Sequence, residues 1–504
     1  MKILLDGNSL AIGDVVQAAK NNTTAALSPS AKRRMTQSRA WVERAVEKQE
    51  TVYGITTGFG AFQNVPIAAR KLQDLQRNLI LSHCAGVGPP FPAEVVRAMM
   101  LLRVNALAKG YSGIRISTVE SLLSLLNRGV HPVVPSQGSV GASGDLAPLS
   151  HIAAVLIGEG EATYRGRTMS GRKALSLAAI KPVRLAAKEG IALNNGTQAM
   201  TAVGVLALDE AENLADLADA AAAMTLEAVE GKSAPFAADV HRVRPHPGQA
   251  LSARNVRSMI RRSQLVDHTD GERDANVQDS YAIRCVPQVH GASRDALAYV
   301  RKVLEVEINS ATDNPLIFPE AEKAFSAGNF HGQPVALAMD FLSLATAELG
   351  NISERRTAKL MDKNHNSGLP AFLASNGGLQ SGLMIAQYTA AALVSENKVL
   401  IHPASGDSIP TSANQEDHVS MGTISARHAR QVVENVRRVL AIELLCASQA
   451  LDFRQGKPGG GTTKLLHSIR KIVRGVDNDR MLSHDIERLA GAISDGTVAA
   501  PFQP

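Results

Sequence analysis

The segment Gly141-Ala142-Ser143-Gly144-Asp145 is the part of the chain whose residues could do unusual chemistry. If the backbone bends tightly there, the Gly144 nitrogen can attack the Ala142 carbonyl and close a five-membered ring around Ser143. Glycine is needed at position 144 because a Cβ would obstruct this approach. Loss of water from the ring and from the Ser143 side chain would leave a methylidene group conjugated to an imidazolone. Such a group is a strong electrophile that no ordinary side chain supplies.

Two other interpretations of this segment fail on spacing. A phosphate-binding loop requires GxxxxGK[ST], and no Lys-Ser or Lys-Thr pair closes the segment. A serine nucleophile of the GxSxG type requires a different glycine spacing and a preceding strand. A second Ala-Ser-Gly-Asp, at 404–407, lacks the flanking glycines. We therefore interpret that second copy as a connection between helices.

The longer run 138–151, Gly-Ser-Val-Gly-Ala-Ser-Gly-Asp-Leu-Ala-Pro-Leu-Ser-His, resembles the signature of the aromatic amino acid ammonia-lyases. The resemblance extends over nearly the whole chain. Further matching segments, in order and spacing, are 53–60 (the tyrosine loop), 195–198, 278–285, 313–315, 328–331 and 414–422. At Gly406 the family more often has valine. Relatives with argininosuccinate-lyase or fumarase chemistry carry a Gly-Ser-Ser-x-Met-Pro loop, which this sequence lacks.

The resemblance implies a cofactor made from the chain itself. In the family the tripeptide corresponding to Ala142, Ser143 and Gly144 becomes a 4-methylidene-imidazol-5-one (MIO), and no external cofactor is needed. The resemblance also implies a mainly α fold with a long central helical bundle of the ammonia-lyase/fumarase-like type. It further implies a homotetramer whose active sites draw residues from more than one subunit.

Catalytic roles follow by resemblance. Tyr53 is expected to be the base that takes the substrate's β proton, which would require surroundings that lower its pKa. The alternative is a packing tyrosine. Tyr281 is the second catalytic candidate, either as a proton relay or as a group that positions the electrophile. Arg284 is expected to bind the substrate carboxylate bidentately, and a surface salt bridge is its ordinary alternative.

Three more residues are expected to form the substrate pocket. Asn195 and Gln278 are expected to hydrogen-bond the electrophile's carbonyl or the substrate amine, although buried amides also serve as structural links. Gln278, Tyr281 and Arg284 would share one face if their segment is helical. Phe330 is expected to form a wall of the pocket, and a core phenylalanine is the alternative.

Substrate choice is predicted from the positions that differ within the family. Ser82-His83 resembles the histidine-selective members, whereas tyrosine-selective members tend to have His-Leu and phenylalanine-selective members Phe-Leu. Glu416 indicates the same choice, because a carboxylate there can pair with an imidazole N–H. Met384 is a further expected ring contact. The expected reaction is deamination of L-histidine to urocanate. A tyrosine or phenylalanine ammonia-lyase, an aminomutase and a non-catalytic relative are the alternatives.

Long helices must position these residues. Periodic apolar residues predict helices over 93–109 and 118–128, the latter with a Ser117/Glu120 capping box. Longer helical patterns cover 198–230, 334–362, 379–399 and 423–450. The best strand signal is a hairpin around 164–167. We expect residues 1–200 to carry the catalytic loops and residues 201–504 to form the helical bundle.

Composition excludes several classes of protein. The 504-residue chain carries a net charge of +6 without any run of five or six like charges, so no nucleic-acid partner is predicted. Three scattered cysteines argue against a disulfide framework and favour a reducing compartment, the cytoplasm. We expect no signal peptide, no membrane-spanning stretch of about 20 apolar residues and no metal, since His241 and His246 lack a ligand spacing.

Overall fold

The computed structural model describes residues 2–267 and 277–502, and helices dominate both ranges. The first nine helices are α1 (Ile12–Lys20), α2 (Pro29–Glu47), α3 (Leu72–His83), α4 (Ala93–Ala108), α5 (Ile116–Asn127), α6 (Leu146–Leu156), α7 (Gly171–Leu177), α8 (Glu189–Asn194) and α9 (Gln198–Ala228). The others are α10 (Ala238–Arg242), α11 (Pro247–Met259), α12 (Tyr281–Arg284), α13 (Val286–Glu307), α14 (Gln333–Met361), α15 (Met384–Leu400), α16 (Gly422–Asp452), α17 (Gly460–Ile472) and α18 (Leu482–Ser494). The mainly α prediction is confirmed.

Short strands accompany these helices. They are β1 (Lys2–Leu5), β2 (Thr24–Leu27), β3 (Val87–Pro90), β4 (Val130–Pro132), β5 (Pro135–Gln137), β6 (Glu161–Tyr164), β7 (Arg167–Ser170), β8 (Leu316–Phe318) and β9 (Lys323–Phe325). β1 and β2 pair in parallel, with Lys2 opposite Thr24, whereas β3–β5, β4–β6–β7 and β8–β9 are antiparallel. The predicted hairpin is β6–β7, with Tyr164 opposite Arg167.

The chain divides into two compact units, each assembled from separate segments. The first unit comprises Met1–Leu206, Arg301–Asp340 and Pro403–Arg427. The second unit comprises Ala207–Val300, Phe341–His402 and His428–Pro504. All the strands named above belong to the first unit. The organisation into 1–200 and 201–504 stays a prediction.

Helix α4 of the first unit is buried along almost its whole length. Val95, Met99, Leu102 and Ala106 were expected to form one apolar face, yet every residue from Val95 to Ala108 is buried. The buried residues include Arg97 and Arg103, whose guanidinium groups donate to main-chain carbonyls. A helix enclosed on all sides must pair its polar groups internally, because water cannot reach them.

The start of α5 differs from the predicted capping box. The helix begins at Ile116, and its N-cap is Arg115, so Ser117 lies inside the first turn. The buried carboxylate of Glu189 accepts from the Arg115 amide at 3.1 Å and from the Thr118 hydroxyl at 2.8 Å. A carboxylate distant in sequence thus satisfies the helix terminus that a local side chain was expected to cap.

The second unit contains a buried ion pair between α14 and α16. Arg356 donates to both carboxylate oxygens of Glu443, at 2.6 and 2.8 Å, and both side chains are fully buried. The hydroxyls of Thr225 and Ser353 donate to the same carboxylate at 2.8 and 2.6 Å. These bonds satisfy charges that would otherwise be too costly to bury.

Most predicted helix boundaries hold within two residues, but α15 begins at Met384 rather than at 379. Gly378 and Gly382 have φ of +102° and +59°, which a helix does not allow. Helix α14 is the one helix in the described ranges that is long and apolar enough to cross a membrane, by length and composition alone. Of its most apolar window, 67% is buried inside the protein, and core helices meet the same two criteria.

Candidate active site

The predicted electrophile segment forms a tight turn at Ala142 and Ser143, directly before α6. Gly144 has φ +73°, and a Cβ there would lie 2.2 Å from the Gly196 carbonyl oxygen, so only glycine fits. The Gly196 amide donates to the Ser143 carbonyl at 3.2 Å, and the Asp145 amide donates to the Gly196 carbonyl at 2.7 Å. The turn is therefore held against the residues that precede α9.

Asp145 is fully buried behind this turn, and both its carboxylate oxygens accept hydrogen bonds. Oδ1 accepts from the hydroxyls of Ser139, at 2.9 Å, and Thr423. Oδ2 accepts from the amides of Ala199 and Met200, at 2.9 and 2.8 Å, in the first turn of α9. A helix N-terminus favours a carboxylate there. Burial raises the pKa of Asp145, and these hydrogen bonds oppose the rise.

Sequence analysis missed this role of Asp145. The residue was quoted within the signature run, but only its neighbours were given functions. The sequence did contain a signal, because Asp145 is a charged residue within a run of small and apolar residues. Such a run indicates burial, and a buried carboxylate needs several hydrogen-bond donors.

A cavity of about 790 Å³ opens beside Ser143, within the first unit. Its size is typical of small-molecule sites. Five predicted site residues line it: Tyr53, His83, Ser143, Asn195 and Glu416. Apolar lining residues include Phe59, Phe62, Val65, Ile67, Leu75 and Ile191. The structure thus brings together side chains from five separate parts of the sequence.

Tyr53 lies in the glycine-rich loop that precedes α3 and is half-buried. Its hydroxyl accepts from the Gly60 amide at 3.3 Å, and its ring meets Phe59 edge-on, with centroids 6.5 Å apart. Burial raises the pKa of Tyr53, the Gly60 amide opposes this, and the Glu416 charge adds to it. The expected lowering of the pKa is therefore not what the surroundings of Tyr53 produce.

His83 is the last residue of α3 and is half-buried at the cavity. Its Nδ1 lies 3.0 Å from the Ser82 hydroxyl. Burial lowers the pKa of His83, while the Leu79 carbonyl and the Glu416 charge oppose the lowering. The imidazole is consequently neutral at neutral pH and offers a substrate both donor and acceptor capacity.

Glu416 lies opposite the electrophile turn. Its Oε1 accepts from the Ser143 hydroxyl at 3.4 Å, and its Oε2 accepts from the Thr411 hydroxyl at 3.1 Å. Residues 411 and 416 also pair through their main chains, which fixes the loop carrying the carboxylate. A charged acceptor thus lies within the same cavity as the neutral imidazole of His83.

Asn195 is buried where α8 ends, and hydrogen bonds hold both its side chain and its main chain. Its Nδ2 donates to the Asn314 carbonyl at 3.1 Å, so its Oδ1 is directed elsewhere. The fully buried Arg103 donates to the Asn195 carbonyl and to Gln198 Oε1, both at 2.7 Å. Sequence analysis did not single out Arg103, which holds the main chain of a cavity residue in place.

Ala142 and Gly144 flank Ser143 in the turn without lining the cavity themselves, and five other predicted site residues do not line it either. Phe330 belongs to the first unit and is half-buried in the loop before α14. The remaining four belong to the second unit: Gln278, Tyr281, Arg284 and Met384.

Gln278, Tyr281 and Arg284 were expected to share one face of a helix, and in the second unit only two of them belong to a helix. Helix α12 contains Tyr281 and Arg284, whereas Gln278 precedes it in a bend and is exposed. The Arg284 guanidinium lies 4.5 Å from the centre of the Tyr281 ring, a cation–π contact. Tyr281 is 69% exposed. Met384 is the first residue of α15 and is half-buried.

The second Ala-Ser-Gly forms one turn of 3-10 helix, Ala404–Gly406, between α15 and α16. The Ser405 amide donates to Asp340 at 2.9 Å, as in an ordinary connection. A Cβ at Gly406 would meet no atom of the described residues within 4 Å, so valine would fit sterically. No group of three or more metal-ligating side chains occurs among residues 2–267 and 277–502.

The sequence matches the family described as aromatic amino acid lyase over residues 10–471. A histidine ammonia-lyase of Caldanaerobacter subterraneus subsp. tengcongensis is 55% identical over 498 residues, which are 99% of this chain and 97% of that protein.

Solved structures agree with this match. Histidine ammonia-lyase from Trypanosoma cruzi has a TM-score of 0.92 at 45% identity, covering 99% of this chain and 94% of that one. Tyrosine aminomutase from Streptomyces globisporus has a TM-score of 0.95 at 38% identity, with full coverage of both chains. The predicted fold type is confirmed. Because proteins named for different reactions share it, the fold alone does not select a substrate.

Proposed function

The chain belongs to the aromatic amino acid lyase family, and we propose that it removes ammonia from L-histidine to give trans-urocanate, the first step of histidine degradation. Relatives named histidine ammonia-lyase, 52–55% identical over nearly the whole chain, support this substrate. The observation that carries the proposal is the presence of Glu416 and neutral His83 in the cavity beside Ser143.

Recognition of the substrate ring follows from these two side chains. The Glu416 carboxylate accepts an imidazole N–H, and the His83 imidazole can accept or donate a second hydrogen bond. A phenyl ring would offer neither group a hydrogen bond, and a site built to hydrogen-bond the substrate disfavours an analogue that lacks the matching polar atoms. The cavity therefore favours histidine over phenylalanine.

The electrophile proposal rests on the fit of the turn at 142–144. The positive φ of Gly144 and the 2.2 Å that a Cβ would leave to Gly196 fit a segment that must fold back on itself. Ala142 packs against Val419 and Met421, which supports the turn from behind. The MIO group, once formed from Ala142, Ser143 and Gly144, supplies an electrophilic methylidene that activates the bound substrate. Asn195 would hold that group or the substrate amine through its free Oδ1.

Tyr53 is the proposed base for the substrate's β proton. Since burial raises its pKa, the free cavity keeps the hydroxyl protonated at neutral pH. Binding of a substrate that carries an ammonium group places a positive charge in the cavity, and a nearby positive charge favours the phenolate. Tyr53 would therefore lose its own proton, and become able to take the β proton, only when substrate is bound.

The predicted site residues that do not line the cavity keep their proposed roles in an assembled enzyme. We propose a homotetramer in which Arg284 binds the substrate carboxylate, Tyr281 assists proton transfer, and Gln278, Met384 and Phe330 contact the substrate. The high exposure of Tyr281 supports this, as do exposed apolar side chains on α14 and α15, among them Phe341 and Tyr388. Light scattering on a size-exclusion column would test the assembly, and a monomer would contradict it.

The compartment proposed is the cytoplasm. Cys84, Cys285 and Cys446 are all free thiols, which is the usual state in a reducing compartment. Fractionation of cells that express the protein would test this proposal.

The function is tested by a side-by-side assay with L-histidine, L-tyrosine and L-phenylalanine, following the ultraviolet absorbance of each unsaturated acid. Urocanate alone is the expected product. Coumarate or cinnamate would overturn the substrate, and a β-amino acid would indicate the aminomutase reaction that the Streptomyces globisporus structure is named for. No turnover with any of the three would favour a non-catalytic relative.

Formation of the electrophile is tested separately by mass spectrometry. The intact chain is expected to be lighter by two water molecules than its sequence requires, and the Ser143→Ala chain is expected to lack both losses. Turnover by Ser143→Ala should fall by on the order of a thousandfold or more. A wild-type chain of unmodified mass that still forms urocanate would contradict the electrophile.

A further inference from the structure

Two adjacent asparagines with unpartnered carboxamide oxygens line the cavity. Asn194 and Asn195 both line it, and their side chains are 0% and 1% exposed. Asn194 Nδ2 donates to the Ser150 hydroxyl at 3.1 Å, as Asn195 Nδ2 does to the Asn314 carbonyl. Neither Oδ1 has a hydrogen-bond partner in the part of the chain that the structure describes.

The end of α8 explains how neighbouring residues face the same space. Consecutive side chains in a helix diverge by about 100°. Asn194 is the last helical residue, and Asn195 adopts φ −95° and ψ 107°, an extended conformation. The change in backbone direction at Asn195 allows both residues to line the same cavity.

Buried polar atoms without partners are rare, and each one in a native structure calls for an explanation. A carboxamide oxygen is only an acceptor, so the group that satisfies it must carry N–H or O–H donors. The side-chain nitrogens of both asparagines are already committed to Ser150 and Asn314. The structure therefore leaves two neighbouring acceptors for a donor-rich ligand group.

We propose that Asn194 is a substrate-binding residue and that its Oδ1, together with Asn195 Oδ1, binds the α-ammonium group of the amino acid. This inference rests on the proposed function, in which Glu416 and His83 bind the two ring nitrogens. The ammonium group, with three donors, is then the substrate group that needs neutral acceptors elsewhere in the cavity.

The position of the pair is consistent with this assignment. Gly196, which follows Asn195, donates its amide N–H to the Ser143 carbonyl at 3.2 Å. The two asparagines therefore lie beside the electrophile turn. The carbon–nitrogen bond that breaks must lie near that turn. Neutral acceptors bind the ammonium without the strong attraction of a carboxylate, which suits a group that has to leave.

The test compares two ligands that differ in the ammonium group. For Asn194→Leu, the KM for L-histidine is expected to rise about tenfold, the effect of losing one good hydrogen bond. The inhibition constant of 3-(imidazol-4-yl)propanoate, which has the same ring and carboxylate but no ammonium, should change by less than about twofold. An unchanged KM, or an equal rise in both constants, would overturn the proposal.

Matched variants separate a local effect from a folding defect. Asn194→Ala removes the same acceptor with less bulk and should give the same contrast. Asn213→Leu changes an exposed asparagine of α9 that does not line the cavity, and it should leave both constants unchanged. Intact mass and circular dichroism would verify that each variant folds and forms its electrophile.

A measurement that does not depend on Asn194 variants completes the test. In a crystal structure of Ser143→Ala with L-histidine bound, the ammonium nitrogen should lie about 3 Å from Asn194 Oδ1. A bound ammonium away from that atom would overturn the proposal. Failure of the wild-type chain to form urocanate would instead contradict the proposed function, so the two failures are distinguishable.

Discussion

The Ser143 hydroxyl donates to Oε1 of Glu416 at 3.4 Å, although 273 residues separate the two in the sequence. This contact joins the residue of the proposed electrophile to the carboxylate proposed to select the substrate ring. The charge of the same carboxylate also acts on the two other titratable cavity residues: it adds to the rise that burial causes in the pKa of Tyr53 and opposes the lowering that burial causes in the pKa of His83. Substrate recognition and chemistry are therefore coupled through one side chain.

Replacement of that carboxylate should weaken histidine binding selectively. For Glu416→Gln, we expect the KM for L-histidine to rise about tenfold because a charged acceptor for the ring N–H becomes a neutral one. Steady-state kinetics with L-histidine and L-phenylalanine measure the change in preference. Asp417→Asn, at the adjacent exposed residue, is the matched control and should behave as wild type. An unchanged preference for histidine in the Glu416 variant would refute the specificity argument.

The role of Tyr53 predicts a particular pH dependence. A base acts when deprotonated, and burial raises the pKa of Tyr53, so kcat/KM should increase with pH on the alkaline side. Tyr53→Phe should lose this dependence and lower kcat by about 10²- to 10⁴-fold. Tyr164→Phe, in strand β6, is the control. If the Tyr53 variant kept both its kcat and the pH profile, another group would have to be the base.

Asp145 should be required for the electrophile turn to form. Asp145→Asn keeps the size but loses the charge, and it turns one acceptor into a donor facing the amides of Ala199 and Met200. We expect a smaller fraction of chains lighter by two water molecules and a loss of about 1–3 kcal/mol in the free energy of unfolding. Intact-mass spectrometry and urea denaturation measure these quantities.

The chain provides its own control for that experiment. Asp407 follows the second Ala-Ser-Gly and is exposed. Asp407→Asn should change neither the fraction of chains that have lost two water molecules nor the free energy of unfolding. Full ring formation in Asp145→Asn would show that the turn does not depend on this carboxylate.

The buried ion pair of the second unit should be a major contributor to stability. Arg356→Met leaves the Glu443 carboxylate buried and without its cation, which should lower the free energy of unfolding by about 3–5 kcal/mol. Arg355→Met is the matched control: that side chain is 64% exposed, so its ion pair with Glu354 should contribute less than about 1 kcal/mol. Equal effects of the two substitutions in urea denaturation would contradict this difference.

The sequence by itself determined the local features of this protein. Apolar periodicity predicted α4, α9, α14 and α16 within about two residues, because helix formation depends on neighbours three and four positions apart. The glycines around Ser143 predicted a tight turn, since positive φ is a local property. The signature run and the matching segments predicted the family and the substrate from residue identity alone.

Only the tertiary structure decided which groups meet and how their surroundings change them. Spacing along the chain says nothing of the distance between Ser143 and Glu416, of the donors around Asp145, or of the carboxylate of Glu189 at the start of α5. The pKa of Tyr53 is raised rather than lowered because burial, a property of the folded cavity, outweighs the local hydrogen bond from Gly60. Hydrogen bonds and desolvation depend on three-dimensional contacts, which is why the chemistry of this cavity could not be derived from local sequence patterns.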